Sequence, residues 1–237
     1  MMKNKNQYNA LANIFRYPDQ GYLNNVNECA ELLHKSYPEA YKEFLPFLNV
    51  LNKKSIYDIE ELFAKTFHIQ AVCYLDIGYV LFAEDYKRGE FLVKMKNEQR
   101  KVNNDCGEEL ADNLPNVLAL LPMIEDSSFL EEFASKIMIP ALKTMLKEFE
   151  ASRMELKTKV RRKKQKVLIQ ENIEHKNIYQ YAINTTLKVI EIDFKHVVNQ
   201  AQEIKPDIAG SFLPNCNTCS VEHTPPKIKE HEKAIEK

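Results

Sequence analysis

The chain has 237 residues, of which 44% are hydrophobic and 28% charged, with a net charge of −1. That length supports one sizeable core, the apolar fraction excludes a chain without a core, and the balanced charge gives no global attraction to nucleic acid or an anionic membrane. Only five residues are glycine, which favours helices over the short strands and tight turns of a sheet protein.

The first predicted helix covers Lys5 to Arg16, with Tyr8, Leu11, Ala12 and Phe15 on one face. Tyr17-Pro18-Asp19 stops it, because the residue before proline avoids the α region. The second runs from Tyr22 to Ser36 with Val26, Cys29 and Leu33 inward, and Tyr37-Pro38 breaks it. Pro38 suits the first turn of a third helix reaching Leu51, in which Pro46 implies a kink or a split. Ser55-Ile56-Tyr57-Asp58 is a capping region for a fourth helix ending near Phe67.

Ala71 to Ala83 reads as a buried central helix, since Val72, Leu75, Tyr79 and Phe82 recur at helical spacing. Asp85 is the expected cap of the next helix, Tyr86 to Val102, and the Asn103-Asn104-Asp105-Cys106-Gly107 cluster is a turn. Leu114 to Ile124 forms a short helix bracketed by Pro115 and Pro122. Ser127 or Ser128 starts a longer one, with Glu131 completing a capping box with Ser128. That helix carries Phe129, Phe133, Ile137, Leu142, Met145, Leu146 and Phe149.

From Ala151 to Gln170 the pattern turns polar and basic, and a last amphipathic helix covers Ile173 to Gln202, with Ile183, Leu187, Ile190, Phe194 and Val198 inward. After Ile204, prolines and mixed charge predict an extended or disordered tail. The expected organisation is an all-α, single-domain helical bundle over 1–204 with a flexible tail over 205–237.

No apolar run approaches the ~20 residues that span a bilayer. The opening MMKNKNQYNALANIFRYP carries charges and amides where a secretory signal has an apolar core. Five scattered cysteines are not a disulfide framework, so the expected compartment is the reducing cytoplasm.

The glycines stand too far apart for either phosphate-cradling loop, and neither HExxH nor GxSxG occurs. A common hydrolase or nucleotide-binding enzyme is therefore not expected. Cys216, Cys219 and His223 are the one metal-like cluster; they supply three ligands where a closed zinc site takes four, so two free thiols in a tail is the plainer reading. Arg153 to Lys166 holds eight Lys/Arg and one acid. It reads first as a solvated helix face, lacking the interleaved aromatics of a single-strand binder. The alternative is a helical adaptor that takes an anionic partner (RNA, lipid or acidic protein) through this run. Glu84, Asp85, Glu90 and Asp112 suggest an acidic surface near the aromatics Tyr74, Tyr79, Phe82 and Tyr86.

Five short segments carry a resemblance. They are Phe15-Arg16-Tyr17-Pro18; Phe63-Ala64-Lys65-Thr66-Phe67; Cys73-Tyr74-Leu75; Glu84-Asp85-Tyr86-Lys87-Arg88-Gly89; and Glu109-Leu110-Ala111-Asp112-Asn113-Leu114-Pro115. In this order they resemble the motifs of the NarJ-type redox-enzyme maturation chaperones, relatives of the TorD and DmsD groups. The likeness covers Asn9 to Ile124, about half the chain. His68 departs from the family's usual Asp, and Ala111 and Asn113 replace Pro and His in the last signature.

The resemblance implies an all-helical, TorD-like fold with no catalysis and no cofactor of its own. It implies a partner, the catalytic subunit of a nitrate-reductase-like molybdenum oxidoreductase, with the cofactor-insertion machinery as a further expected partner. That subunit's N-terminal segment is bound until molybdopterin guanine dinucleotide and an iron–sulfur cluster are inserted. The expected binding residues are Tyr74, Tyr79, Glu84, Asp85, Tyr86, Arg88, Asp112, Leu114 and Pro115. The client's apolar side chains lie on the Tyr74–Phe82 and Leu114–Leu121 helices, in a helix-in-groove complex. Glu84, Asp85 and Asp112 pair its Arg or Lys, and Arg88 holds the acidic turn.

Overall fold

The computed structural model describes residues 6–69, 71–150 and 178–197. The basic run Arg153 to Lys166, the start of the last helix at Ile173, Val198 and the cysteine-bearing 205–237 segment lie outside the described residues. The described residues are all-α, as expected, and include no strand.

The helices are α1 (Asn6–Ile14), α2 (Tyr22–Ser36), α3 (Pro38–Leu51), α4 (Ile56–Phe67), α5 (Ile77–Phe82), α6 (Tyr86–Lys101) and α7 (Leu114–Leu120). A 3-10 turn, Leu121–Met123, follows α7. Then come α8 (Ser127–Phe133), a π-helical turn at Ala134–Met138, a helix over residues 139–150 (α9) and α10 (Tyr179–Asp193). The π turn lies just before Pro140, whose ring would meet the carbonyl four residues back in a regular α-helix. Among the described helices none is long and apolar enough to cross a membrane.

Local chemistry explains most boundaries. Ser55 and Asp58 form a reciprocal capping box at α4, and the Asp85 carboxylate accepts from the Lys87 amide to start α6. Pro38 occupies the first turn of α3. Pro46 does not split that helix. The carbonyl it leaves unpaired is that of Lys42, an exposed residue, where water can take it. The α8 cap differs from the expectation: Asp126 accepts from the Ser128 and Phe129 amides, so Ser127 and Ser128 lie inside the helix and the Ser128–Glu131 box is not used. A carboxylate one residue earlier outcompetes the hydroxyl because charge strengthens the cap.

In the core, α1 packs on α2 and α7, α2 on α3, and α10 on α3. Phe47, Phe63 and Phe67 converge on the fully buried ring of Tyr179, at centroid distances of 5.2, 5.7 and 5.0 Å. The Tyr179 hydroxyl pairs with that of Tyr22 at 3.1 Å. One charge is buried here. The Asp193 carboxylate, 7% exposed, accepts from Gln7 Nε2, Tyr8 Oη and Tyr37 Oη, all at 2.9 Å. Three donors replace its lost hydration, and they bind α10 to α1 and to the residue between α2 and α3.

The largest departure concerns residues 71–83. Only Ile77–Phe82 is helical. The Val72 and Cys73 amides donate to the Thr66 carbonyl, Leu75 O accepts from the Leu114 amide, and Asp76 pairs with Asn113 as an isolated antiparallel bridge. The expected buried central helix is thus a short helix preceded by an extended strap. Tyr74 is 44% exposed and Tyr79 half-buried.

Candidate functional site

The strap and the Glu109–Asn116 stretch form two sides of a cleft of about 260 Å³. The loop before α7 is fastened to the strap at several points. The Ile77 amide donates to Asp112 O at 3.0 Å, and the Gly78 amide to Asp112 Oδ2 at 2.9 Å. Asn113 Nδ2 donates to Asp76 Oδ1 at 3.1 Å. Behind the loop, Asn116 Nδ2 donates to the carbonyls of Cys106 and Leu110, and Gln99 Nε2 to those of Ala111 and Asn116. Side-chain amides thus satisfy a loop that has no sheet or helix to pair with.

The other walls come from the ends of α1 and α4, which supply Phe15, Arg16, Tyr17, Phe63, Phe67 and His68. Tyr17 sits edge-on to Phe63 at 5.6 Å and to His68 at 6.3 Å, and is 57% exposed. Phe63 also touches Tyr179, so the cleft's aromatic wall continues the core. A wall backed by packed rings is stiff, and an exposed tyrosine at its edge offers apolar area with a polar tip. The polar lining is Asp76, Glu109, Asn113 and Asn116, together with Arg16 and His68. Such a site can take an apolar or aromatic side chain against the rings and a polar or cationic group at the carboxylates.

Of the residues expected from sequence, Tyr74 and Pro115 line this cleft. Tyr79 stands one layer behind, edge-on to Tyr74 at 4.5 Å. Arg88 lies over the Tyr79 ring at 5.0 Å and 3.9 Å from Asp76 Oδ2. It therefore reaches across to the strap, whereas the acidic turn it was expected to hold is closed by Asp85. Glu84, Asp85 and Tyr86 are exposed but do not line the cleft, and the Asp85 carboxylate is committed to its cap.

Two assignments fail. Asp112 is 1% exposed, so it belongs to no acidic rim. It fills the space left by the missing Cβ of Gly78. Burial holds its carboxyl above the usual range; the Gly78 amide opposes this, the Asp76 charge adds to it, and Arg88 offsets it. Leu114 is fully buried, and α7 is a core helix with no free face for a bound segment along most of its length.

Asp76, Arg16, Glu109, His68, Asn113 and Asn116 were not among the expected binding residues. Asp76 carried a usable signal, an acid directly before the apolar Ile77-Gly78-Tyr79 run, where a helix start favours a carboxylate. The amides Gln99 and Asn116 carried none, since their side-chain N–H groups donate to backbone carbonyls six or more residues away.

The three described cysteines are not activated nucleophiles. Burial pushes the Cys29 thiol up to about 12 and raises Cys73, which the nearby Glu148 raises further; Cys106 is also raised, by burial and by Asp105. Among the described residues no three His, Cys, Asp or Glu side chains gather into a metal-ion site; Cys216, Cys219 and His223 lie outside them. Compared with known proteins, the chain matches no family model and no curated sequence.

Proposed function

We propose that this protein is a redox-enzyme maturation chaperone without catalytic activity or a cofactor of its own. Its client is the apo catalytic subunit of a nitrate-reductase-like molybdenum enzyme, held through an N-terminal segment until molybdopterin guanine dinucleotide and the iron–sulfur cluster are in place. One observation carries the reading. Four of the segments on which the resemblance to NarJ-type chaperones rests come from three well-separated regions of the chain, and each contributes to one aromatic cleft: Phe15 to Tyr17, Phe63 and Phe67 with the nearby Tyr74 and Leu75, and Glu109 to Pro115.

Motifs that served only packing would have no reason to share one solvent-reached cleft. Its volume suits one or two side chains rather than a cofactor, in keeping with recognition of a peptide by anchors. In this reading the client's apolar side chain rests between Tyr17, Phe63 and Tyr74, and Asp76 and Glu109 replace Asp112 as the carboxylates that face it. The test is a calorimetric titration of the full chain with a peptide matching that N-terminal segment, at two salt concentrations. Saturable binding that weakens as salt rises is expected. Absence of binding both to the peptide and to the whole apo-subunit would overturn the assignment.

A further inference from the structure

Asp76 has two different neighbours. Its Oδ1 accepts from Asn113 Nδ2 at 3.1 Å, which fixes the carboxylate in the cleft wall. Its Oδ2 faces the Arg88 guanidinium at 3.9 Å, an ion pair too long for a hydrogen bond. Arg88 rests meanwhile on the face of Tyr79, whose ring contacts Tyr74, a residue of the same cleft. Both charged side chains are about one-quarter exposed, at 28% and 25%. The pair is thus half-screened, loosely made, and attached to the cleft's own wall.

We propose that Arg88 is an internal competitor for the cleft. It neutralises Asp76 in the empty protein and yields that carboxylate to a guanidinium carried by the bound segment. The inference rests on the peptide-binding reading above. A planar guanidinium already lies on this aromatic face beside this carboxylate, so the surroundings suit that group. The 3.9 Å separation leaves the hydrogen-bonding capacity of Oδ2 toward Arg88 unused. An incoming guanidinium that forms two direct bonds gains what Arg88 does not. Arg88 would then set a threshold, because segments without a cation would not draw Asp76 away from it.

The test uses the full chain as wild type, Arg88→Gln, Arg88→Lys and Asp76→Asn, with folding of each checked by circular dichroism. The first probe is N-acetyl-arginine methylamide, followed by NMR at the Tyr74 and Tyr79 ring protons. Arg88→Gln is expected to bind it about two- to fivefold more tightly than wild type, the range for partly exposed ion pairs. Arg88→Lys, which keeps the charge, should show little of that gain, and Asp76→Asn should lose the binding.

Equal binding by wild type and Arg88→Gln, or weaker binding by Arg88→Gln, would overturn the competitor role. The second probe is the client peptide, with its arginines intact or changed to glutamine. If the arginine probe behaves as expected and the peptide does not bind, the chaperone reading fails and the competitor stands. If the peptide binds and Arg88→Gln gives no gain with either probe, the competitor fails and the chaperone reading stands.

Discussion

Gly78→Ala opposes two effects of known size. Gly78 lies in α5, so helix propensity alone favours alanine by about 0.8–1 kcal/mol. A Cβ there would stand 2.7 Å from Asp112 Oδ2 and 2.9 Å from Phe91 Cδ1. Neither neighbour can swing away, since Asp112 is 1% exposed and Phe91 fully buried. Overpacking costs about 1–3 kcal/mol, and displacing Asp112 loses a charge-assisted bond from the Gly78 amide worth roughly 1.5–3 kcal/mol. Packing therefore wins, with a net loss of about 1.5–5 kcal/mol after the propensity gain is subtracted. Gly89→Ala is the control. It lies on α6 with nothing within 4 Å of its would-be Cβ, and should stabilise by about 0.5–1 kcal/mol. Urea unfolding of both variants, read by far-UV circular dichroism, gives the two differences directly. A Gly78→Ala protein as stable as wild type would refute the strap-to-loop packing on which the cleft depends.

Three more outcomes follow from single positions. The Asp112 carboxyl is raised by burial, so the folded state holds its proton more tightly than the unfolded chain does. Its contribution is greatest in acid and is lost as pH climbs from the unfolded value of about 3.9 through the folded one. Asp112→Asn, uncharged throughout, should gain on wild type across that window, with Glu148, also raised, common to both proteins; a pH-independent difference would contradict the buried charge. Asp193→Ala strands the Gln7, Tyr8 and Tyr37 donors and should cost about 3 kcal/mol or more in urea unfolding, whereas a loss below about 1 kcal/mol would show that the donors find other partners. Ala83 carries φ 49° and ψ −125° at the end of α5, a conformation that suits glycine. Ala83→Gly should therefore raise stability by about 1 kcal/mol, and a decrease would show the backbone there to be unstrained.

The legible parts of the fold are those decided locally. The ends of α2, the Asp85 cap and the turn with left-handed Asn103 and Gly107 all follow from residues within a few positions of one another. The strap was misread because Val72, Leu75, Tyr79 and Phe82 do fall at helical spacing. What overrides that pattern is pairing across long distances, from Leu75 O to the Leu114 amide and from Asp76 to Asn113.

The site was half legible for the same reason. Tyr74 and Pro115 could be picked out by type and by resemblance, but whether an acid faces solvent depends on what fills the space beside it. Asp112 is enclosed because Gly78 leaves room for it, and Asp76 lies in the cleft because Asn113 holds it there. Neither relation is visible in the spacing of charges along the chain.

The most direct measurement of the central claim compares wild type with the Tyr17→Ala/Tyr74→Ala double variant in the calorimetric titration against the client peptide. Both side chains are substantially exposed, at 57% and 44%, so the fold should survive their loss. The account predicts saturable wild-type binding and a variant at least about tenfold weaker, since exposed aromatics that anchor a peptide contribute on the order of 1 kcal/mol or more each. Unchanged affinity in a folded double variant would place the peptide elsewhere on the protein and contradict the cleft as its binding site.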